Sequence, residues 1–320
     1  MILIMNHRGR VRLAAAIAAL VIATGCGASN ERVAAPSDST EASVRFDIVV
    51  THALIGAEVV ELVGDAASVT VLVPNGADPH EWSPSAKDVE RVMSADLVVR
   101  NGLGLETRLD SALTEAASHG VAVFTVADHV TVRHTSGDAS PDVKGAGEHH
   151  GEAAADPHLW MDPLTMKQFI APLAARLDEL GIDVTGSVAG VEHSLDALDA
   201  DLAAMLQAVP VDRRRLVTGH ESLGYFADRY GYQVVGAVVP SLSSQAEASA
   251  GALADLVAVV KRERVPAIFT ESGTPKATVE AISQDAGVAV IELETNRLPT
   301  DATYRTFMLD LATLVSTALR

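Results

Sequence analysis

A single cysteine, Cys26, occurs in 320 residues, so no internal disulfide can staple the chain and its stability has to come from packed cores. Aromatic residues are scarce at 4% although hydrophobic residues make up 48%, so the apolar content is mainly Ala, Val and Leu. Small side chains of that kind let helices lie close to sheets, which suits α/β layers. Basic residues are outnumbered, 24 Lys and Arg against 42 Asp and Glu, for a formal net charge of -18. That balance argues against nucleic acid and against an anionic membrane surface as partner, and it is compatible with a cation as ligand. The apolar run Leu13 to Ala23 is too short to cross a bilayer and has the length of a signal-peptide core.

Arg8, Arg10 and Arg12 precede that run without an acidic residue, and the run leads into Ala23-Thr24-Gly25-Cys26. Small residues before a lone cysteine resemble the lipobox of bacterial lipoproteins. The resemblance implies a signal peptide over 1–25, lipid on Cys26, and export to the cell envelope, anchored at the outer face of the cell membrane or periplasmic. Gly27 to Ser43 is rich in Ser, Ala, Asp, Glu and Pro, so 26–45 reads as a flexible tether.

From Phe46 on, short β-branched runs alternate with helical patterns. Strands are expected at 46–51, 68–74, 97–101 and 121–126, with helices at 53–63, 85–94 and 105–118. Ser85 and Asp88 form a capping box. The polar segment 127–156 interrupts this order and carries His129, His134, His149 and His150; so long a loop is usually functional or disordered. A helix starts at Asp162-Pro163, with Asp as cap and Pro in the first turn. Gly186 to Val209 reads as one helix of about 36 Å with Leu195, Leu198, Leu202 and Leu206 as its apolar stripe, ended by Pro210. A second series follows, with strands at 215–219, 233–239, 267–271 and 288–293 and helices at 223–230, 245–264, 275–286 and 303–319. The expected organisation is an α/β fold of two parallel-sheet lobes, 46–185 and 210–320, joined by a long helix over 186–209.

One pattern occurs twice: Asp78-Pro79-His80-Glu81-Trp82 and Asp156-Pro157-His158-Leu159-Trp160, which use both tryptophans of the chain. Proline restricts its own φ and pushes the preceding residue into extended backbone, so each imidazole is presented on a stiff segment, with the tryptophan able to pack beneath it. His220 closes the strand Leu216-Val217-Thr218, and Glu271 and Glu294 follow two further strands. Ligands of open α/β sheets bind beyond the carboxyl ends of strands, so these groups gather where a site is expected. Three imidazoles and a carboxylate satisfy four-coordinate zinc, and in principle copper or cobalt. His52 also ends a strand and is a candidate neighbour, whereas His119 and His193 fall in helical patterns as surface residues.

The segments Gly76 to Trp82, Asp156 to Pro163 and Thr218 to Phe226 together resemble the metal-binding solute receptors of bacterial ABC transporters, the zinc- and manganese-binding cluster. The resemblance spans nearly the whole chain after the tether. It implies two pseudo-symmetric lobes joined by one rigid helix, a metal buried between them, and His80, His158 and His220 as ligands. His220 stands where manganese receptors typically carry glutamate and zinc receptors histidine, which favours zinc over manganese. Glu294 is the expected fourth ligand, replacing the aspartate common in relatives, with Glu271 or water as rivals; Glu271 could instead orient His220. The loop with His149 and His150 resembles the histidine-rich loop of zinc receptors.

These readings predict a monomeric, extracytoplasmic zinc-binding protein, not an enzyme, that delivers its metal to the permease of an ABC importer. A zinc hydrolase is the alternative from the enzyme class, since three histidines and an open position also serve catalysis. The chain lacks a His-Glu-x-x-His helix, however. A metal-binding surface adhesin of the same fold is the third reading.

Overall fold

Runs such as Ile48-Val49-Val50 and Leu97-Val98-Val99 are apolar at every position, the pattern of strands covered on both faces. In the computed structural model, which describes residues 46–135, 154–299 and 303–320, such runs build two four-stranded parallel sheets. The first holds β1 (Phe46–Val50), β2 (Ala67–Val71), β3 (Leu97–Arg100) and β4 (Ala122–Thr125) in the order β2-β1-β3-β4. The second holds β5 (Arg215–Thr218), β6 (Gln233–Ala237), β7 (Ala267–Glu271) and β8 (Ala289–Leu293) in the matching order β6-β5-β7-β8. Val49 sits opposite Thr70 on one side and Val98 on the other, and Val217 between Gly236 and Ile268. The expected signal peptide, Cys26, its tether, and His149 and His150 lie outside the described residues.

Parallel neighbours require crossover connections, and helices supply them. The outer face of the first sheet packs Val49, Leu72 and Val98 against Val92 of α2 (Ala86–Ser94) and Leu113 of α3 (Asp110–Ser118). The outer face of the second packs Val217 and Ile268 against Leu256 of α8 (Ala250–Glu263) and Ile282 of α9 (Lys276–Ala286). Capping follows the sequence: Ser85 and Asp88 exchange both hydrogen bonds of a capping box, and Asp162 caps α4 (Pro163–Gln168) with Pro163 in its first turn.

The inner faces share one continuous apolar cluster, running from Ile48 and Leu97 through Leu195 and Leu202 to Phe269 and Val315. Its spine is α6 (Thr185–Leu206), whose Val191, Leu195, Leu198, Leu202 and Leu206 are all buried. Around α6 pack α1 (Ala53–Val63), α4, α5 (Ile170–Glu179) and α10 (Tyr304–Leu319). The final helix α10 thus lies against α1 near the start of the chain as well as beside β8. α6 is three residues shorter at its end than the pattern suggests. Val209 N–H donates to Leu206 O in a tight turn, because the residue before Pro210 is driven out of helical backbone. The segment after Asp162 forms two helices, α4 and α5, broken at Phe169.

Within α1, Glu58 is 3% exposed and its Oε2 has no hydrogen-bond partner. Burial, with Glu61 adding to it, pushes its carboxyl up to about 8.

Candidate metal centre

The turn after β2 and the segment before α4 use one local device twice. Asp78 Oδ1 accepts the His80 main-chain N–H at 2.9 Å, and Asp156 Oδ1 accepts that of His158 at 3.0 Å. The short carboxylate folds the chain over the intervening proline, so each imidazole projects from a stiff turn. Asp78 is steadied from the second half of the molecule, where Ser244 donates its hydroxyl to Oδ2 at 2.6 Å. Asp156 is steadied from the first half by Arg133 Nη1 at 3.1 Å.

The third imidazole leaves β5 through Gly219. A Cβ at that glycine would come within 3.2 Å of the Glu271 amide nitrogen, so the absence of a side chain lets the His220 segment lie against the end of β7. Gly224, at the start of α7 (Gly224–Tyr230), has the same role on the other side, since an added Cβ would stand 2.6 Å from Asp156 Oδ2.

His80, His158 and His220 meet between the sheets. His158 Nε2 lies 3.3 Å from His80 Nε2 and 3.0 Å from His220 Nε2, and all three ligand atoms fall within 4.8 Å of one another. Metal–nitrogen bonds of about 2.0–2.1 Å in tetrahedral geometry place ligand nitrogens roughly 3.3–3.4 Å apart, so the cluster has the spacing of one coordination sphere. The opposite edges of two rings are fixed by acids: His158 Nδ1 donates to Asp156 Oδ1 at 2.7 Å, and His220 Nδ1 faces Glu271 Oε2 at 3.1 Å. A proton held at Nδ1 leaves the Nε2 lone pair free to point into the cluster.

Burial separates the three histidines electrostatically. His158 and His220 are 1% and 4% exposed, while His80 is half-buried. Desolvation presses His80 down to about 3, with His158, His220 and His52 adding to it. Burial alone would depress His220 as well, but the adjacent Glu271 outweighs it and holds the imidazole above its ordinary range. Glu271 is in turn kept below the usual carboxylate range, because His220 overcomes its own desolvation. Asp156 and Glu271 thus place two acids directly behind the cluster, enough to balance a divalent cation without touching it.

Glu294 departs from the sequence expectation. Its side chain is 52% exposed and lies 3.4 Å from Arg297, and among the described residues no carboxylate joins the three-histidine group. Strand alternation is the cause: Leu293 at the end of β8 is buried, so Glu294 turns outward and Thr295 inward. Glu271 is the acid that reaches the centre, through His220. Trp160 lies T-shaped to His158 at 5.4 Å, as expected, whereas Trp82 packs instead on the Val49 and Val92 cluster. His52 is a buried neighbour, its ring tilted at 33° against Trp160 with centroids 4.1 Å apart. His129 stacks on Phe124, His134 pairs with Ala155 at the neck of the long loop, and His119 and His193 are exposed.

Several supporting residues carry no motif. Arg133 joins the halves, donating from Nε to Asp228 at 2.7 Å as well as to Asp156. Asn101 donates to Pro157 O at 2.9 Å, and buried Glu106 accepts from Asn101 and Gly102 N–H, fixing the loop that holds the second motif. A glutamate six residues after a strand is a signal sequence can offer; the distant partner of Arg133 is not.

A cleft of about 400 Å³ opens beside His80, lined by Leu105, Thr107, Arg108, Pro157, Ser241 and Gln245 among others. Among the described residues no helix is long and apolar enough to cross a membrane.

Known proteins resemble this chain in sequence and fold. The zinc-binding protein TroA of Treponema pallidum is 31% identical over 239 residues, 73% of each chain. The manganese-binding lipoprotein MntA of Halalkalibacterium halodurans is 29% identical over 276 residues, 84% of this chain and 83% of its own. The structure of periplasmic TroA matches with a TM-score of 0.72 at 27% identity, covering 86% of this chain and 99% of that one. A crystal structure of ZnuA matches with a TM-score of 0.73 at 25% identity, covering 86% and 100%. The family model described as zinc-uptake complex component A, periplasmic, matches residues 48–318, and this chain belongs to that family of metal receptors of ABC transporters.

Proposed function

We propose that the protein is an extracytoplasmic receptor that takes up a zinc ion on His80, His158 and His220 and hands it to the permease of an ABC importer. The observation that carries this reading is the convergence of three Nε2 atoms at coordination-sphere spacing, two of them backed by carboxylates at Nδ1. Relatives include both zinc- and manganese-binding proteins. An imidazole set with no carboxylate among it favours zinc, because manganese prefers oxygen donors. Lipid on Cys26 would tether a monomeric receptor to the outer face of the membrane, next to the permease.

The two lobes, 46–185 and 210–320 on either side of the helix over 186–209, divide the ligands between them. His80 and His158 belong to the first and His220 to the second, so a relative shift of the lobes on the permease changes the Nε2 spacing and weakens the metal's hold. Uptake requires neutral imidazoles, and the depressed His80 is in that state at any physiological pH.

Metal analysis of the purified protein followed by competitive titration of zinc against manganese tests the proposal. One tightly held zinc, displaced poorly by manganese and lost in His158→Ala, is the expected result. Preferred manganese binding would overturn the choice of metal, and unaltered zinc binding in His158→Ala the ligand set.

A further inference from the structure

We propose that the cleft beside His80 binds a small di- or tricarboxylate, one end of which completes the coordination of the metal while the other lies on Arg108. The inference rests on the metal site proposed above and concerns its fourth ligand.

Three observations lead to it. The described residues offer no carboxylate to the three-histidine group. Glu294 is turned outward, and both oxygens of Glu271 are engaged, Oε1 by Ser222 at 2.7 Å and Oε2 by Thr295 at 3.1 Å. The oxygens of Asp78 are likewise taken, by His80 N–H and by Ser244. The described carboxylates around the cluster are thus committed elsewhere, and a tetrahedral ion on three imidazoles has a fourth position that a donor entering from the cleft can fill.

The cleft is also larger than a bare ion needs. At about 400 Å³ it exceeds by roughly twofold the space of an ion with six waters, at about 30 Å³ each, and falls in the range of small-molecule sites. Of the three histidines only His80 lines it.

The charge of the lining then selects the ligand. Arg108 is the one charged side chain among the described lining residues. It is exposed, and its guanidinium donates to neutral oxygens, Ser83 Oγ at 2.7 Å and Gln245 Oε1 at 3.3 Å. Arg91, Arg100, Arg133, Arg215, Arg229 and Arg297 each sit on a carboxylate instead. In a chain of net charge -18, an arginine that forms no ion pair among the described residues, with Glu81 linked to it only through Gln245, suits the fork of a carboxylate. The Thr107, Ser241 and Ser243 hydroxyls around it suit further oxygens of the same ligand.

Equilibrium dialysis with radiolabelled malonate and citrate, zinc being measured in the same cell, tests this. Zinc-loaded protein should retain an equimolar amount of label, and metal-free protein at least about tenfold less affinity for it. Arg108→Gln should lose about tenfold or more in carboxylate affinity, the scale of a charge-assisted hydrogen-bond pair, while its zinc affinity without carboxylate stays within about twofold. Zinc-loaded protein that retains no label, or Arg108→Gln that retains it unchanged, would overturn the inference while leaving the zinc site standing. A wild-type cell without bound zinc would overturn the metal reading and this inference together.

Discussion

Trp160 donates its indole N–H to the main-chain oxygen of Thr295 at 3.0 Å, and so ties the segment carrying His158 to the end of the second sheet. Thr295 passes the link on, since its hydroxyl donates to Glu271 Oε2 at 3.1 Å and Glu271 faces His220. Thr295→Val keeps the main-chain oxygen and removes only the hydroxyl. Zinc affinity is expected to fall about fivefold, the worth of one hydrogen bond of about 1 kcal/mol, and Thr295→Ser to restore it. Competitive titration against a chromophoric chelator measures both, and equal affinities for wild type and Thr295→Val would mean that Ser222 and His220 hold Glu271 unaided.

The two acids that follow strands should separate clearly. Glu271→Ala leaves His220 without its partner and is expected to cost about 10–100-fold in zinc affinity. Glu294→Ala removes a half-exposed carboxylate paired with Arg297 and should change affinity by less than about twofold. The opposite order in calorimetric titration would place Glu294 on the metal.

Gly224 offers a test that replaces no polar side chain. A methyl group there collides with Asp156 Oδ2 and the Arg133 guanidinium, so Gly224→Ala should displace the acid behind His158. The expected outcome is a loss of about tenfold in zinc affinity. Circular dichroism should show the helical content retained. Full affinity in a folded Gly224→Ala protein would show that Asp156 tolerates the shift.

Glu58 makes stability depend on pH. Its folded-state value of about 8 lies above the ordinary 4.5, so the stabilisation is complete below about 4.5 and is lost as pH rises through 8. Glu58→Gln removes that term. The stability difference between Glu58→Gln and wild type should therefore grow in favour of the variant from pH 5 to pH 8, by on the order of 3 kcal/mol. Denaturant melts at several pH values read it directly, and a constant difference would mean that Glu58 finds a partner in solution.

What was legible in the chain was what neighbours in sequence decide. The buried strands announce themselves as uninterrupted apolar runs, and the starts of α2 and α4 follow from Ser85 with Asp88 and from Asp162-Pro163. The repeated Asp-Pro-His-x-Trp pattern marked two of the three clustered histidines, because the Asx turn that aims each ring is itself local. The break at Phe169 has no proline or glycine to signal it. Glu294 was misplaced because its direction depends on the register of Leu293 against the core, which a strand reveals only once folded. Glu271 was readable as a group that could orient His220, since an acid ending the wholly buried strand Ala267-Ile268-Phe269-Thr270 demands a charged partner.

The shared inner cluster reaches from β1 to α10, with α6 at its centre and α10 resting on α1. No seam runs through it along which one sheet could detach with its own interior intact. Heat should accordingly melt both sheets in a single calorimetric peak, and a proteolytic fragment carrying either sheet alone would present to water the apolar face that the other had covered.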